Sequence, residues 1–226
     1  MGPTPSRQRL GLFGGTFNPI HLGHLHAARI VCRRFALDRI LFIPSSLPPH
    51  KETREMVSSE HRFNMVNFAL ANDPCFVASP IEIEALGTSY SIITLSRIRD
   101  IYPQADIFFI LGIDAFLEIE TWKEYDKVLE SCAFIVISRP GYRLEGALTL
   151  LDGRLRGRLM EVDETHSPGD LAYHAAAIFL APIDALDVSS TEIRRRLMDD
   201  ESVEGMVSEP VIEYIKEHGL YRKEND

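Results

Sequence analysis

The chain has 226 residues, a formal net charge of −9 and three cysteines. Its length and 45% hydrophobic content exclude a disulfide-framed miniature and a disordered chain, and they suit a single domain over residues 1–226. The acidic balance disfavours a broad nucleic-acid surface, although a few focused cations can still hold one small phosphate.

The opening MGPTPSRQRL has no apolar core of the kind a secretory signal carries, and no apolar run reaches membrane-spanning length. Cys32, Cys75 and Cys132 form no C-x-x-C pair and read as thiols kept reduced. The expectation is a cytoplasmic protein with no membrane and no nucleic-acid partner.

In chain order, the first apolar run is Leu10–Phe13. It enters Gly14-Gly15, then Thr16–Pro19, then a helix from about Leu22 with Leu25, Ala28, Cys32 and Phe35 on one stripe. A second run, Ile40–Ile43, precedes SLPPHK and a helix that Ser58 can cap. A third, Cys75–Ser79, is followed by acidic Ile81–Ala85, read as a strand or edge with solvated carboxylates. TSYS then opens a helix with Leu95, Ile98 and Tyr102 on one side, ending at Pro103. Ile107–Leu111, Ala133–Ile137 and Ala177–Ala181 are three further runs, and TEIRRRLMDD and PVIEYIKEHGLY are two closing helices. Weak periodicity over Tyr142–Ala176 predicts surface elaboration, either a lid or an oligomer contact.

Continuous apolar runs mean strands covered on both faces, hence a parallel sheet. Their alternation with helices predicts an α/β protein with a Rossmann-like, doubly wound sheet in three α/β/α layers.

Strand, glycine turn and helix N-terminus make the phosphate-binding corner of such sheets. Neither G-x-G-x-x-G nor G-x-x-x-x-G-K-[ST] is present. His21 and His24 share one side of the first helical turn, with Gly23 between them. Three readings stand: metal ligands, solvated helix histidines, or anion ligands. No H-E-x-x-H or Cys/His cluster supplies a third metal ligand. His26 is off that side and reads as structural.

The stretch GGTFNPIHLGH, with VSSTEIRRRL at Val188–Leu197, resembles the two signatures of the nucleotidyltransferase superfamily, H-x-G-H and I-S-S-T-x-I-R. SLPPHK, TSYS, LGIDAFLEIETW and SRPG narrow the resemblance to the bacterial nicotinate-mononucleotide adenylyltransferases, from Leu10 to about Tyr221.

The resemblance implies adenylyl transfer from Mg²⁺-ATP to nicotinate mononucleotide, giving deamido-NAD and pyrophosphate. Phosphate groups would lie along Gly14, Gly15, Thr16 and Phe17. His21, His24, Lys51 and Arg194 would neutralise them, helped by Ser190 and Thr191 at a helix N-terminus. Gly112 and Asp114 would take the adenosine side. His50, Ser89, Tyr90, Ser91 and Trp122 would take the mononucleotide. No all-protein metal cage is implied, because Mg²⁺ would bridge ATP phosphates. Trp122 reads either as a platform for the pyridine ring or as a core aromatic. Lys123 stands where the family commonly has Tyr, and Asn18 where it commonly has Asp; Asn18 is read as keeping a hydrogen-bonding cap. Of the arginines, only Arg194 matches the motif, and Arg195 and Arg196 are expected in solvent.

Rival readings are a pantetheine-phosphate adenylyltransferase, a cytidylyltransferase, a nucleotide-sensing protein without turnover, and a metal-dependent hydrolase. Acid-versus-amide preference stays open, with room for a homo-oligomer.

Overall fold

The computed structural model describes residues 7–47, 56–85, 87–138 and 153–222. Strand β1, Arg9–Gly15, leads through the glycine turn to helix α1, Leu22–Arg34. Strand β2, Arg39–Pro44, is followed by α2, Ser59–Leu70, and β3, Phe76–Ala78. Helix α3, Ser91–Ile101, precedes β4, Asp106–Gly112. The short α4, Ile113–Leu117, a 3₁₀ turn at Ile119–Thr121 and α5, Tyr125–Ser131, then lead to β5, Ala133–Ile137. The remaining elements are α6, Gly153–Arg156; β6, Leu159–Glu161; β7, Ile178–Ala181; α7, Ser190–Met198; and α8, Glu209–Glu217.

The seven strands form one parallel sheet in the order β3-β2-β1-β4-β5-β7-β6. The alternation of each apolar run explains why none looks amphipathic. In β5, Ala133, Ile135 and Ile137 enter one core, while Phe134 and Val136 enter the other. The first core takes Ala28 and Val31 of α1, Met65 of α2, Ile193 of α7 and Val211 and Ile215 of α8. The second takes Leu95 and Ile98 of α3, Phe116 of α4 and Val128 of α5. This is the expected three-layer α/β architecture.

Strand order reverses between β1 and β4, which run parallel side by side and end at Gly15 and Gly112. Ligands of such sheets bind beyond the carboxyl ends of the strands at this switch point. Both edges are short: β3 and β6 have three residues each, which limits edge-to-edge pairing.

Two expectations need correcting. Ile81–Ile83 form a turn, not a strand, and Glu82 is not a solvated carboxylate, since its Oε1 accepts from Thr94 Oγ1 at 2.6 Å. The described part of the segment read as surface elaboration, 153–176, instead contributes strand β6 and buries Leu155, Val162 and Leu171. Three-residue β6 was too short to show a period. The Leu171 carbonyl accepts from Arg9 Nη2 at 2.9 Å, and the Cys132 carbonyl accepts from the Ala176 N–H at 3.0 Å. Those contacts lie at the amino ends of β1 and β5, opposite the switch point. Residues 142–152 lie outside the described residues.

Candidate active site

The corner after β1 is built on close packing. Phe17 takes φ +48°, a left-handed conformation costly for a residue with a β-carbon. Its burial stabilises the conformation: the ring lies against Phe13, Phe42 and His24. A β-carbon on Gly15 would come within 3.0–3.2 Å of that ring. Gly15 is therefore required first by Phe17, whose ring in turn supports His24.

His21 caps α1, and His24 is its third helical residue. Their rings lie 3.7 Å apart between centroids and 31° from parallel. The His21 N–H donates to His24 Nδ1 at 3.3 Å, so Nδ1 supplies a lone pair and the neutral ring carries its proton on Nε2. This is a capping box with imidazole in place of Glu or Gln. A β-carbon on Gly23 would meet His21 Nδ1 at 3.0 Å. Gly23 leaves room for the His21 ring. The Leu22 N–H at the helix start donates to the Met206 carbonyl at 2.9 Å. His26 points elsewhere, its Nε2 2.8 Å from the Asp184 carbonyl.

The downstream motif closes on the first. Ser189 caps α7, its Oγ accepting from the Glu192 N–H at 3.2 Å. Ser190 Oγ donates to the Pro19 carbonyl at 2.9 Å, across 171 residues of sequence. Arg194 Nη1 donates to the Asn18 carbonyl at 3.0 Å. Arg195 and Arg196 are engaged by Glu192 and Glu201, and these two arginines hold the Glu192 carboxyl down at about 2. Thr191 is exposed beside them in the first turn.

Asn18 is not a helix cap, contrary to the sequence reading. Its Oδ1 accepts from Tyr221 Oη at 2.8 Å and from the Val57 N–H at 3.4 Å, tying the chain's far end to the corner. The site therefore includes Tyr221, which the sequence reading missed. Burial raises the Tyr221 hydroxyl well above the ordinary tyrosine range.

Across the switch point, Gly112 caps α4 and Asp114 lies in its first turn. Ser89, Tyr90 and Ser91 run into α3, with Tyr90 as its cap. Leu47 pairs with Thr88 as an isolated parallel bridge, and Ser89 Oγ accepts from the Ser46 N–H at 2.9 Å. Trp122 packs one edge on Phe109 at 5.9 Å and stays partly exposed. Lys123 Nζ stands 4.5 Å over the Tyr90 ring. His50 and Lys51 lie outside the described residues.

A second residue was also missed. Arg62 of α2 is fully buried beneath the corner. Only a tertiary contact reveals it, because in sequence it is one more arginine in a helix.

A doubly wound sheet whose switch point is lined by two imidazoles, a guanidinium and two helix starts defines a nucleotide-handling α/β protein. The chain belongs to the cytidylyltransferase-like family, whose model matches residues 12–196. It is 41% identical over 217 residues to the probable nicotinate-nucleotide adenylyltransferase of Geotalea daltonii, covering 94% of this chain and 98% of that one. It is 38% identical over 214 residues to the one of Thermus thermophilus, covering 95% and 100%. Among solved structures, it resembles a Plasmodium falciparum nicotinic acid mononucleotide adenylyltransferase complexed with NaAD. That likeness has a TM-score of 0.73 and 19% identity over 95% of this chain and 98% of that one.

Proposed function

We propose that this chain transfers the adenylyl group of ATP to nicotinate mononucleotide, releasing pyrophosphate. The observation that carries the reading is the convergence of the H-x-G-H and S-S-T-x-I-R segments, bonded together through Ser190, Arg194 and the Asn18–Pro19 backbone. The names of its relatives support the choice of acceptor.

A phosphate oxygen of the mononucleotide bonds to the α-phosphorus of ATP. The bond from that phosphorus to the bridging oxygen breaks, and its electron pair leaves with pyrophosphate. The nucleophile is already anionic, so alignment and charge neutralisation do the work. His24 Nε2–H and the neighbouring His21 ring face charge building on the phosphates. Arg194 is anchored by one nitrogen on the Asn18 carbonyl, which aims its guanidinium into the same corner. Lys51 and His50 add donors in the assignment taken from the resemblance. Gly112 and Asp114 take the adenosine side, and Ser89, Tyr90, Ser91 and Trp122 the pyridine side.

Among the described residues, no three His, Cys, Asp or Glu side chains come together as a metal cage. Mg²⁺ bound with ATP would supply charge neutralisation on the triphosphate. Among those residues, no helix is long and apolar enough to cross a membrane. ATP as substrate and three thiols free of disulfides support a cytoplasmic location.

The test is pyrophosphate release from Mg-ATP with nicotinate mononucleotide, nicotinamide mononucleotide or phosphopantetheine. Release with the acid mononucleotide is expected. Silence with both mononucleotides overturns the reading.

A further inference from the structure

We propose that Arg62 is a positioning residue that holds the phosphate side and the pyridine side of the site in one register; this rests on the adenylyl-transfer reading above. Its guanidinium is fully buried and donates to three main-chain carbonyls. Nη1 reaches Thr16 at 2.8 Å, Nη2 reaches Ser46 at 3.0 Å and Nε reaches Val57 at 3.2 Å. Thr16 belongs to the turn after β1, and Ser46 to the turn after β2. The Ser46 N–H donates in turn to Ser89 Oγ, directly before α3. One side chain thus joins the turns after β1 and β2 directly and, through the Ser46 N–H, the segment before α3.

The arrangement is costly, which argues that it serves more than packing. Burial makes the Arg62 cation harder to hold, and Tyr221 and Glu82 offset this only in part. Among the described residues, no carboxylate lies within ion-pair distance of it. An apolar side chain could fill the same volume without burying a charge. No apolar side chain could satisfy carbonyls of the turn after β1, the turn after β2 and the stretch leading into α2, and a lysine lacks the planar fork that spans them. In-line transfer needs the attacking oxygen and the α-phosphorus about 3–3.5 Å apart, and a misplacement of about 1 Å costs about 10²-fold in rate. Thr16 stands on the phosphate side and Ser89 on the acceptor side. The link between them sets that separation without touching either substrate.

The experiment compares the full-length chain with Arg62→Lys and Arg62→Met. Wild-type pyrophosphate release is measured first, and its absence would count against the reaction, not against Arg62. Two readouts then bear on Arg62. Amide hydrogen exchange without substrate should quicken together at residues 14–18, 44–47 and 88–91 in Arg62→Lys, while the rest of α2 keeps its protection. In the same variant kcat should fall about 10- to 100-fold, with binding of a non-hydrolysable ATP analogue changed by less than about threefold. Faster exchange confined to α2 would overturn the proposal. So would a lowered Tm with unchanged kcat per folded molecule, the mark of a purely structural arginine. If Arg62→Met fails to fold, Arg62→Lys still decides.

Discussion

His24 combines helix capping with the proposed chemistry in a single ring. Its Nδ1 accepts the His21 N–H, and the proposed chemistry falls to its Nε2–H. The two roles separate by substitution. Gln at this position can also accept from the capping residue's N–H. His24→Gln should therefore keep the melting temperature near wild type, while kcat falls about 10²-fold or more. His24→Ala should lose a similar factor in rate and, in addition, about 1 kcal/mol of stability in chemical denaturation. Gly23 gives a prediction of mixed sign. Ala is preferred to Gly inside a helix by about 1 kcal/mol, yet its β-carbon would displace the His21 ring. Gly23→Ala should match or exceed wild type in stability and lose activity; full activity would show that the His21 position is not critical. None of this competition was visible from the H-x-G-H spacing, which says where the rings stand along the chain but not what each nitrogen bonds.

Among the elements, β1 carries the tightest constraint. A β-carbon on Gly11 would come within 2.9–3.0 Å of Leu37 Cδ1, Ile110 Cδ1 and Ile40 Cγ1. Gly11→Val overpacks this seam and should cost about 1–3 kcal/mol in urea unfolding. The turn before α3 gives a pH prediction. Burial raises the Glu82 carboxyl, against hydrogen bonds from Thr94 and Ser89 and the charge of Arg62. An acid with a raised native pKa contributes stability fully below its unfolded value and loses it as pH rises through the native one. Glu82→Gln does not titrate. Its Tm relative to wild type should therefore climb between pH 4 and pH 8; a flat difference would mean that Glu82 does not titrate differently on folding. The apolar runs showed six of the seven strands in the sequence, because continuous burial leaves a compositional mark. The Ile81–Ala85 segment was misread because charge alone does not reveal that Thr94 and Ser89 lie beneath it.

In the molecule as a whole, residues distant in sequence meet at the carboxyl edge of the sheet. Tyr221 donates to Asn18 across 203 residues. Tyr221→Phe should leave the fold intact, cost about 1 kcal/mol in chemical denaturation and lower kcat by loosening the turn that anchors Arg194. Unchanged kcat would confine Tyr221 to stability.

What the sequence by itself determined was six of the seven strands, most of the helices between them, their alternation and the two motifs. These are local properties: runs of apolar residues, caps and short spacings of chemically able side chains. The tertiary structure alone decided the strand order, the switch point, the bonds that bring α7 onto the Asn18–Pro19 turn, and the burial of Arg62 and Glu82. Those depend on which surfaces pack together. A buried charge is written like an exposed one, and only the folded chain shows that Arg62 faces three carbonyls instead of water.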